Sequence, residues 1–210
     1  MNENLNNVAF ISGTVYGFPA YSHSVCGEKF YTFDIEAERT SGNADLLSVM
    51  ASERTTDIDA LCPGEIVSVR GEIRSYNLKC AEKTRLVLNV FARSVQMAEH
   101  AETDENGSNN SIYLDGYICK PPTYRETPMG RELSDAIVAV NRAYGKSDYI
   151  PCIFWGRNAR FASQLPVGSH VGLSGRFQSR EYRKNIGDVT EIRTAFELSV
   201  GSLEVIENEN

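Results

Sequence analysis

Apolar and polar residues alternate with a period of two along most of the chain, in short runs bounded by glycine, proline, asparagine or serine. Such alternation is typical of strands that bury one face and expose the other. The clearest runs in the first half are residues 8–15, 31–38, 46–51, 65–75 and 85–95, and those in the second half are residues 111–118, 132–142, 149–155, 170–182 and 188–200. The pattern predicts an all-β protein with five strands in each half.

One segment with helical spacing interrupts the strands of each half, between the third and the fourth strand. In the second half it spans residues 158–165 and stops at Pro166, and in the first half it spans residues 55–61 and stops before Pro63. Apolar residues recur three or four positions apart in both segments, as on one face of a short helix. Five strands with one such helix predict a small closed barrel of the oligonucleotide/oligosaccharide-binding type, the OB-fold. A generic all-β sandwich is the alternative that the pattern leaves open.

The two halves repeat the same landmarks in the same order. The matched segments are residues 10–15 with 113–118, 33–39 with 136–142, 63–73 with 167–177, and 88–99 with 196–207. The offset is 103 or 104 residues for the first three pairs and 108 for the last, which predicts four extra residues in a hairpin of the second half. Glycines inside the strands, such as Gly71 and its counterpart Gly175, suit the bulges that close a small barrel. Two tandem copies of one domain are the simplest interpretation.

An acidic segment separates the copies. Residues 99–110 contain four acidic and no basic residues and no aliphatic side chain larger than alanine, so they predict a flexible linker. The linker divides an N-terminal OB-fold domain, residues 1–98, from a C-terminal one, residues 111–207. The net charge of -7 argues against a nucleic-acid binder, but the charge is uneven: residues 111–198 hold 12 basic and 9 acidic residues.

Several classes of protein are not expected. The five cysteines and three histidines have no metal-ligand spacing, and no Gly-rich phosphate loop or Ser/His/Asp grouping occurs. We therefore expect no catalytic residues, no metal site and no cofactor. The N-terminus has no signal-like pattern and no apolar run approaches ~20 residues, so we expect a cytoplasmic protein without membrane contact.

Short motifs follow one another in the second copy. They are an Ala-Val-Asn-Arg turn at 139–142, Trp-Gly-Arg at 155–157, Val-Gly-Ser at 167–169, Gly-Arg at 175–176 and Thr-Glu at 190–191. In this order and spacing, residues 111–207 resemble the bacterial single-stranded DNA-binding protein family, and the first copy resembles it only through the second. The resemblance implies sequence-nonspecific binding of single-stranded DNA, which protects it in replication, recombination or repair at the nucleoid. It also implies a homodimer that unites four OB-folds.

Binding single strands requires aromatic faces for the bases and cations for the phosphates. In the run 149–155, Tyr149 and Trp155 share the strand face opposite Ile150, Cys152 and Phe154, and lie roughly 20 Å apart at ~3.3 Å per residue. The resemblance places the stacking residues at Tyr144, Tyr149, Trp155 and Tyr182. The candidate phosphate contacts are Arg125, Arg142, Arg157, Arg180 and Arg183. For any one of these taken alone, a half-packed tyrosine or a solvated arginine is the ordinary alternative.

The first copy lacks three of the four stacking residues, and only Tyr76 lies near the position of Tyr182, two residues off. Ser41, Leu46 and Ser52 stand opposite Tyr144, Tyr149 and Trp155. Its early aromatic residues are expected to pack in the core and the first loop, with a different binding surface as the alternative: Tyr16, Phe18, Tyr21, Phe30, Tyr31 and Phe33. We expect this copy to have a structural or pairing role.

Two further alternatives stay open from the sequence. One is an accessory interaction subunit of a primosome or plasmid-transfer complex with weak nucleic-acid affinity, and the other is RNA as the ligand. The C-terminal "SLEVIENEN" carries acids without a Pro-Phe type tip, so the resemblance gives no basis for recruiting proteins through a tail.

Overall fold

A computed structural model describes residues 6–80, 83–186 and 189–207, with the backbone alone for residues 80, 83, 183–186, 189 and 191. The described elements are β1 (Asn7–Val25), β2 (Glu28–Glu38), β3 (Ala44–Ser52), β4 (Ile66–Cys80), β5 (Lys83–Ala98), β6 (Asn110–Ile118), β7 (Thr123–Glu126), β8 (Glu132–Arg142), a 3₁₀ turn (Ala143–Gly145), β9 (Lys146–Trp155), α1 (Arg157–Ala162), β10 (His170–Ile186) and β11 (Val189–Val205). All ten predicted strands are present, most of them longer than predicted, and the all-β class is confirmed.

Each half closes into a five-stranded barrel. In the first barrel β1 pairs with both β2 and β4, and a parallel pairing of β3 with β5 completes the ring. In the second barrel β6 pairs with both β8 and β10, and β9 pairs in parallel with β11. The additional short strand β7 lies outside the second ring, against β8. Alternate residues of every barrel strand point inward, so both interiors are filled by aliphatic and aromatic side chains such as Ile35, Leu47, Phe154 and Phe177.

Among the described residues, an α-helix forms in the second barrel and not in the first. The helix predicted over residues 55–61 is wrong, because these residues form turns with hydrogen bonds such as Leu61 N–H to the Ile58 carbonyl (3.2 Å). The segment is rich in Thr and Asp, which have low helix propensity, and Pro63 prevents a second turn. In the second barrel, α1 buries Ala159 and Ala162 on its inner side.

The two barrels are joined edge to edge by antiparallel pairing of β1 with β6. Ala9 lies directly opposite Ile112, and these two residues differ by the repeat offset of 103. The two halves therefore meet about a pseudo-two-fold axis through this pair, with the same strand of each copy at the interface. This is the isologous arrangement of a homodimer, built within one chain.

A matched pair of buried asparagines holds the joined strands to their barrels. The side chain of Asn7 donates to the Ile73 carbonyl (2.8 Å) and accepts from the Ile73 N–H (2.9 Å). Asn110, one repeat later, makes the same two bonds with Phe177, at 2.6 and 2.9 Å. Ile73 and Phe177 each lie two residues beyond a glycine, Gly71 or Gly175, that faces a bulge in the partner strand β5 or β11. The asparagine side chains pair backbone groups there that the ladder leaves without partners.

Two buried carboxylates cross the junction in the same symmetric way. Asp148 of the second barrel accepts from the N–H of Ser75 in β4 (2.8 Å), and Ser75 Oγ accepts from the Tyr149 N–H (2.7 Å). Asp45, its counterpart in the first barrel, accepts from the N–H of Ser179 in β10 (3.1 Å). Both aspartates are fully buried and ion-paired with arginine, which satisfies their charges away from water.

The predicted four extra residues lie in the β10–β11 ribbon. From Ser75 to the last pair, Cys80 with Lys83, β4 runs five residues, whereas β10 runs seven from Ser179 to the pair Ile186 with Val189. Two additional residues on each strand therefore lengthen the ribbon of the second barrel, and this prediction is confirmed.

The first barrel has an arm of its own, because β1 and β2 continue past the barrel to a turn at Cys26 and Gly27. Tyr16, Phe18 and Tyr21 on this arm are 61%, 75% and 58% exposed. The expectation that these three rings pack in the core or the loop is wrong, since the arm lies beyond the barrel interior. Phe33, nearer the barrel, is buried as expected.

Residues 99–110 contact the first barrel at several points. The Glu102 N–H donates to Ser12 Oγ (2.9 Å), and the Asn109 side chain donates to the Glu38 carbonyl (3.0 Å). The division into domains 1–98 and 111–207 with a flexible linker at 99–110 stays a prediction.

Candidate nucleic-acid interface

The strand β9 separates an inner and an outer face as its alternation predicts. Ile150, Cys152 and Phe154 point into the barrel and are buried. Tyr149 and Trp155 point outward, with 48% and 38% of their surfaces exposed. Burial raises the pKa of the Cys152 thiol, so this residue is a neutral core group. Trp155 is thus a surface ring whose Nε1 donates to Ser199 Oγ (3.3 Å).

Strand register continues the outer face on both sides of Trp155. On one side Leu133 of β8 lies opposite Trp155, and Arg125 of β7 lies opposite Leu133. On the other side Ser199 of β11 lies opposite Arg176 of β10. Because residues directly opposite one another share a face of the sheet, these side chains all lie on the outer face, where Leu133 is covered (3% exposed) and Arg125 and Trp155 are exposed. A band of mixed aromatic and basic character therefore crosses five strands.

A groove of about 540 Å³ lies beside the indole of Trp155, and we call it the Trp155 groove. Four arginines line it, together with Gln178, Ser179 and a single carboxylate, Glu181; the arginines are Arg39, Arg131, Arg176 and Arg180. Sequence reasoning identified only Arg180 among them. Arg39 belongs to the first barrel, so both barrels contribute cations to this groove.

Arg39 and Arg176 of the groove repel each other, although both are paired with the buried Asp45 (Arg176 Nη1 to Oδ2, 3.9 Å). Burial, and then the nearby charge of Arg39, lowers the pKa of the Arg176 guanidinium. Arg180 is paired with Glu197 (Nε to Oε1, 3.6 Å) and also lies 5.9 Å from the ring centre of Tyr182. A bound anion would relieve the repulsion, so the groove suits phosphate.

The β10–β11 ribbon carries Tyr182 away from the barrel. Tyr182 is 37% exposed, and it shares its strand face with Arg176 and Arg180 by the alternation of β10. Arg183 follows in the same strand, and its side chain lies outside the described residues. The ribbon therefore extends the stacking surface beyond the groove.

The β8–β9 turn places Tyr144 at its tip. Tyr144 is 98% exposed and has φ 64°, a left-handed conformation that costs a non-glycine residue roughly 1–2 kcal/mol. Arg142 of β8 and Lys146 of β9 lie opposite each other in the strand register at the base of the turn. Arg142 is also held by the buried Asp148 (3.6 Å), so its guanidinium serves the junction between the barrels.

Arg125 and Arg157 flank Trp155, and they differ in whether an acidic side chain pairs with them. The Nε of Arg125 is paired with Asp135 Oδ2 (2.7 Å), which offsets much of its charge. Arg157 begins α1, two residues after Trp155, and is exposed; no ion pair joins it within the described ranges. Arg157 is thus the freer of the two cations. That these predicted residues contact a nucleic acid stays a prediction.

A further exposed aromatic residue, Tyr124, lies outside the lining of the Trp155 groove and was missed by the sequence reasoning. Tyr124 of β7 is 39% exposed, and its hydroxyl donates to Glu132 Oε1 (2.7 Å). This bond raises the pKa of Tyr124 to about 12 and lowers that of Glu132. Arg160 also donates to Glu132 (2.8 Å), so this carboxylate is already occupied by protein donors.

The described residues form neither a metal site nor a membrane-spanning helix. No three His, Cys, Asp or Glu side chains in the described part of the chain lie together as a metal site requires. None of the helices described there is long and apolar enough to span a membrane.

Comparison with known proteins supports the distinction between the two barrels. The single-strand binding protein family model matches residues 109–206. The single-stranded DNA-binding protein of Bacillus cereus is 36% identical over 93 residues, which cover 40% of this chain and 55% of that protein. Single-stranded DNA-binding protein A of Bacillus subtilis is 35% identical over 94 residues, with the same two coverages. The chain thus spans about half the length of the curated relatives it matches.

The whole two-barrel architecture also occurs in a solved structure. The single-stranded DNA-binding protein from Thermus aquaticus superposes with a TM-score of 0.75, covering 97% of this chain and 94% of that one, at 19% sequence identity. At this identity the likeness shows the fold alone, with both barrels in it. The second barrel, residues 109–206, is therefore similar in sequence to the single-strand binding protein family.

Proposed function

We propose that this protein binds single-stranded DNA without sequence preference, on the outer face of its second barrel. The observation that carries the proposal is the exposed indole of Trp155 beside a groove with four arginines and one carboxylate. An aromatic face stacks on any base, and guanidinium groups hold the phosphates on either side of it. Neither contact depends on base identity, because hydrogen bonds to base edges play no part.

The path proposed for the strand follows β9. Tyr144 at the turn, Tyr149 and Trp155 offer successive stacking surfaces, and Tyr182 extends them along the ribbon. Arg157 and Arg180 lie beside this path, as do Arg131 and Arg176 of the Trp155 groove. The names of the Bacillus relatives support single-stranded DNA as the ligand.

Fluorescence titration of the intact protein tests the proposal. Trp155 is the only tryptophan, so its emission reports on the groove alone. We expect oligo-dT to quench this emission at low salt, and the binding constant to fall steeply as salt is raised, because each phosphate contact releases counterions. Oligo-dT that leaves the emission and the anisotropy of a labelled strand unchanged would exclude the proposal. An RNA strand of equal length, titrated in parallel, separates a DNA binder from a general single-strand binder.

We further propose that the protein protects single strands during replication, recombination or repair, in the cytoplasm at the nucleoid. The same surfaces support this role over that of an accessory subunit with weak affinity, which needs no aromatic band. A homodimer with four barrels is the assembly that the family resemblance favours. Sedimentation equilibrium then gives twice the 23.3 kDa of one chain, and a mass of 23.3 kDa at micromolar concentration contradicts it.

A further inference from the structure

A second basic cleft opens on the other side of the pseudo-two-fold axis. Its volume is about 640 Å³, and it lies between β4 and β5 of the first barrel and the β8–β9 turn of the second. We call it the junction cleft. Its basic side chains are Arg70, Arg74, Arg93 and Arg142. Three of these four arginines come from the first barrel, which as a whole carries more acidic than basic residues.

Carboxylates neutralise the junction cleft only in part. Glu72 is shared by Arg74 and Arg93, and the buried Asp148 is shared by Arg74 and Arg142. Four guanidinium groups thus face two carboxylates. The charges of Arg142 and Arg93 help to lower the pKa of Arg74, after the larger effect of its burial. The excess is positive, and it lies in a concave surface where water is limited.

The geometry leaves donors available to a ligand. The side chain of Arg93 is 61% exposed. Arg70 is also exposed, and its guanidinium carbon lies 4.8 Å from the ring centre of Phe10, which orients the group without using a charge partner. No ion pair is described for Arg70 in residues 6–80, 83–186 and 189–207.

The cleft is continuous with the stacking surface. Asn141, Arg142 and Ala143 form one of its walls, and Tyr144 is the next residue along the chain. On the opposite wall Arg74 reaches Asp148, the residue before Tyr149 (3.0 Å). A strand that leaves Tyr149 and Tyr144 therefore meets Arg74, Arg93 and Arg70 of the first barrel next.

We propose that the junction cleft is a phosphodiester-binding track that carries a single-stranded nucleic acid from the second barrel onto β4 and β5 of the first. The first barrel then contributes mainly phosphate contacts, because Ser41, Leu46 and Ser52 stand at three of the four stacking positions. Tyr76, 44% exposed, shares the face of β4 that carries Arg70 and Arg74. This inference rests on the proposed function, because the second barrel must bind the strand before the cleft can extend it.

The test compares two lengths of oligo-dT on the intact protein. A strand of about 8 nucleotides lies within the roughly 4–16 that one OB barrel covers, whereas about 35 nucleotides exceed two barrels. In the variant Arg70→Gln/Arg93→Gln, we expect the log–log salt slope for the long strand to fall by about 1.4, at roughly 0.7 per lost phosphate contact. Its affinity at low salt falls with it, and binding of the short strand does not change.

The control variant Lys29→Gln/Arg54→Gln removes two cations from the first barrel away from the cleft. Both are more than half exposed and paired with glutamates, as Arg93 is. Glu72→Gln is expected to change the affinity in the opposite direction. It removes the carboxylate that Arg74 and Arg93 share, so binding of the long strand becomes tighter and binding of the short strand does not change. The inference is overturned if the cleft variant and the control have equal salt slopes for the long strand, or if Glu72→Gln leaves the affinity for the long strand unchanged. A native protein that binds neither length overturns the proposed function itself.

Discussion

Replacing Asp148 with alanine is expected to lower the free energy of unfolding by about 3–5 kcal/mol, the usual cost of breaking a buried ion pair from one side. The carboxylate is fully buried and accepts from the Ser75 N–H (2.8 Å) and from Arg74 Nη1 (3.0 Å). Without it, the Ser75 N–H of the first barrel and the Arg142 guanidinium lose their partner, and Arg74 keeps only Glu72. The effect falls on the contact between the barrels, although each barrel core is unchanged.

Denaturant unfolding followed by circular dichroism measures this loss, with Asp135→Ala as the matched control. Asp135 lies in the neighbouring strand and is also paired with an arginine, but its side chain is 41% exposed. An exposed pair is worth roughly 0–1 kcal/mol, so the control is expected to be nearly as stable as the native protein. Equal stability of both variants would show that Asp148 does not hold the barrels together.

The double variant Tyr149→Ala/Trp155→Ala is expected to weaken binding of single-stranded DNA by about 2–6 kcal/mol, or at least roughly 30-fold. Each ring contributes the stacking of one base, and their separation of roughly 20 Å along β9 makes the two losses nearly additive. Stability should change little, because both rings are on the outer face and the interior of the second barrel is complete without them.

Anisotropy of a labelled oligo-dT measures this affinity, since the variant has lost its tryptophan. Tyr16→Ala/Phe18→Ala is the control, because these rings are more exposed than Tyr149 and Trp155 but lie on the arm of the first barrel. If exposed aromatic surface alone determined binding, the control would lose more affinity for oligo-dT than the β9 variant. If the control loses as much affinity as the β9 variant, the stacking surface is not confined to the second barrel.

The faces of β9 were predictable because strand alternation is a local property. Ile150, Cys152 and Phe154 form an uninterrupted apolar set at every second position, which leaves Trp155 outside whatever the rest of the fold does. The barrels were predictable for a similar reason, since strand lengths, turn residues and the repeat each favour the same architecture. The helix over 55–61 failed because three apolar residues in so short a segment do not outweigh Thr, Asp and a following proline.

The arginines of the Trp155 groove were not predictable from the sequence. Arg39 lies in the other copy, and it reaches the groove only because β1 pairs with β6 and brings the two barrels together. Arg176 lies within a strand whose register with Ser199 is shifted by a bulge. Such positions depend on long-range pairing, and spacing along the chain carries no signal of them. The exposed rings of the arm were missed for the same reason, since the length of β1 beyond the barrel is not encoded in its alternation.

The pseudo-two-fold pairing of Ala9 with Ile112 has an evolutionary consequence. In a dimer of identical chains every substitution appears on both sides of the axis, so a surface cannot be improved on one side and abandoned on the other. A single gene that encodes both partners is free of this constraint, and the tether keeps the partners at high effective concentration while their surfaces diverge. Trp155 facing one way and Ser52 the other is the result expected of that freedom, and it makes the two ends of the molecule unequal. A single strand that binds as proposed therefore has one barrel with a stacking ring and one without at its two ends.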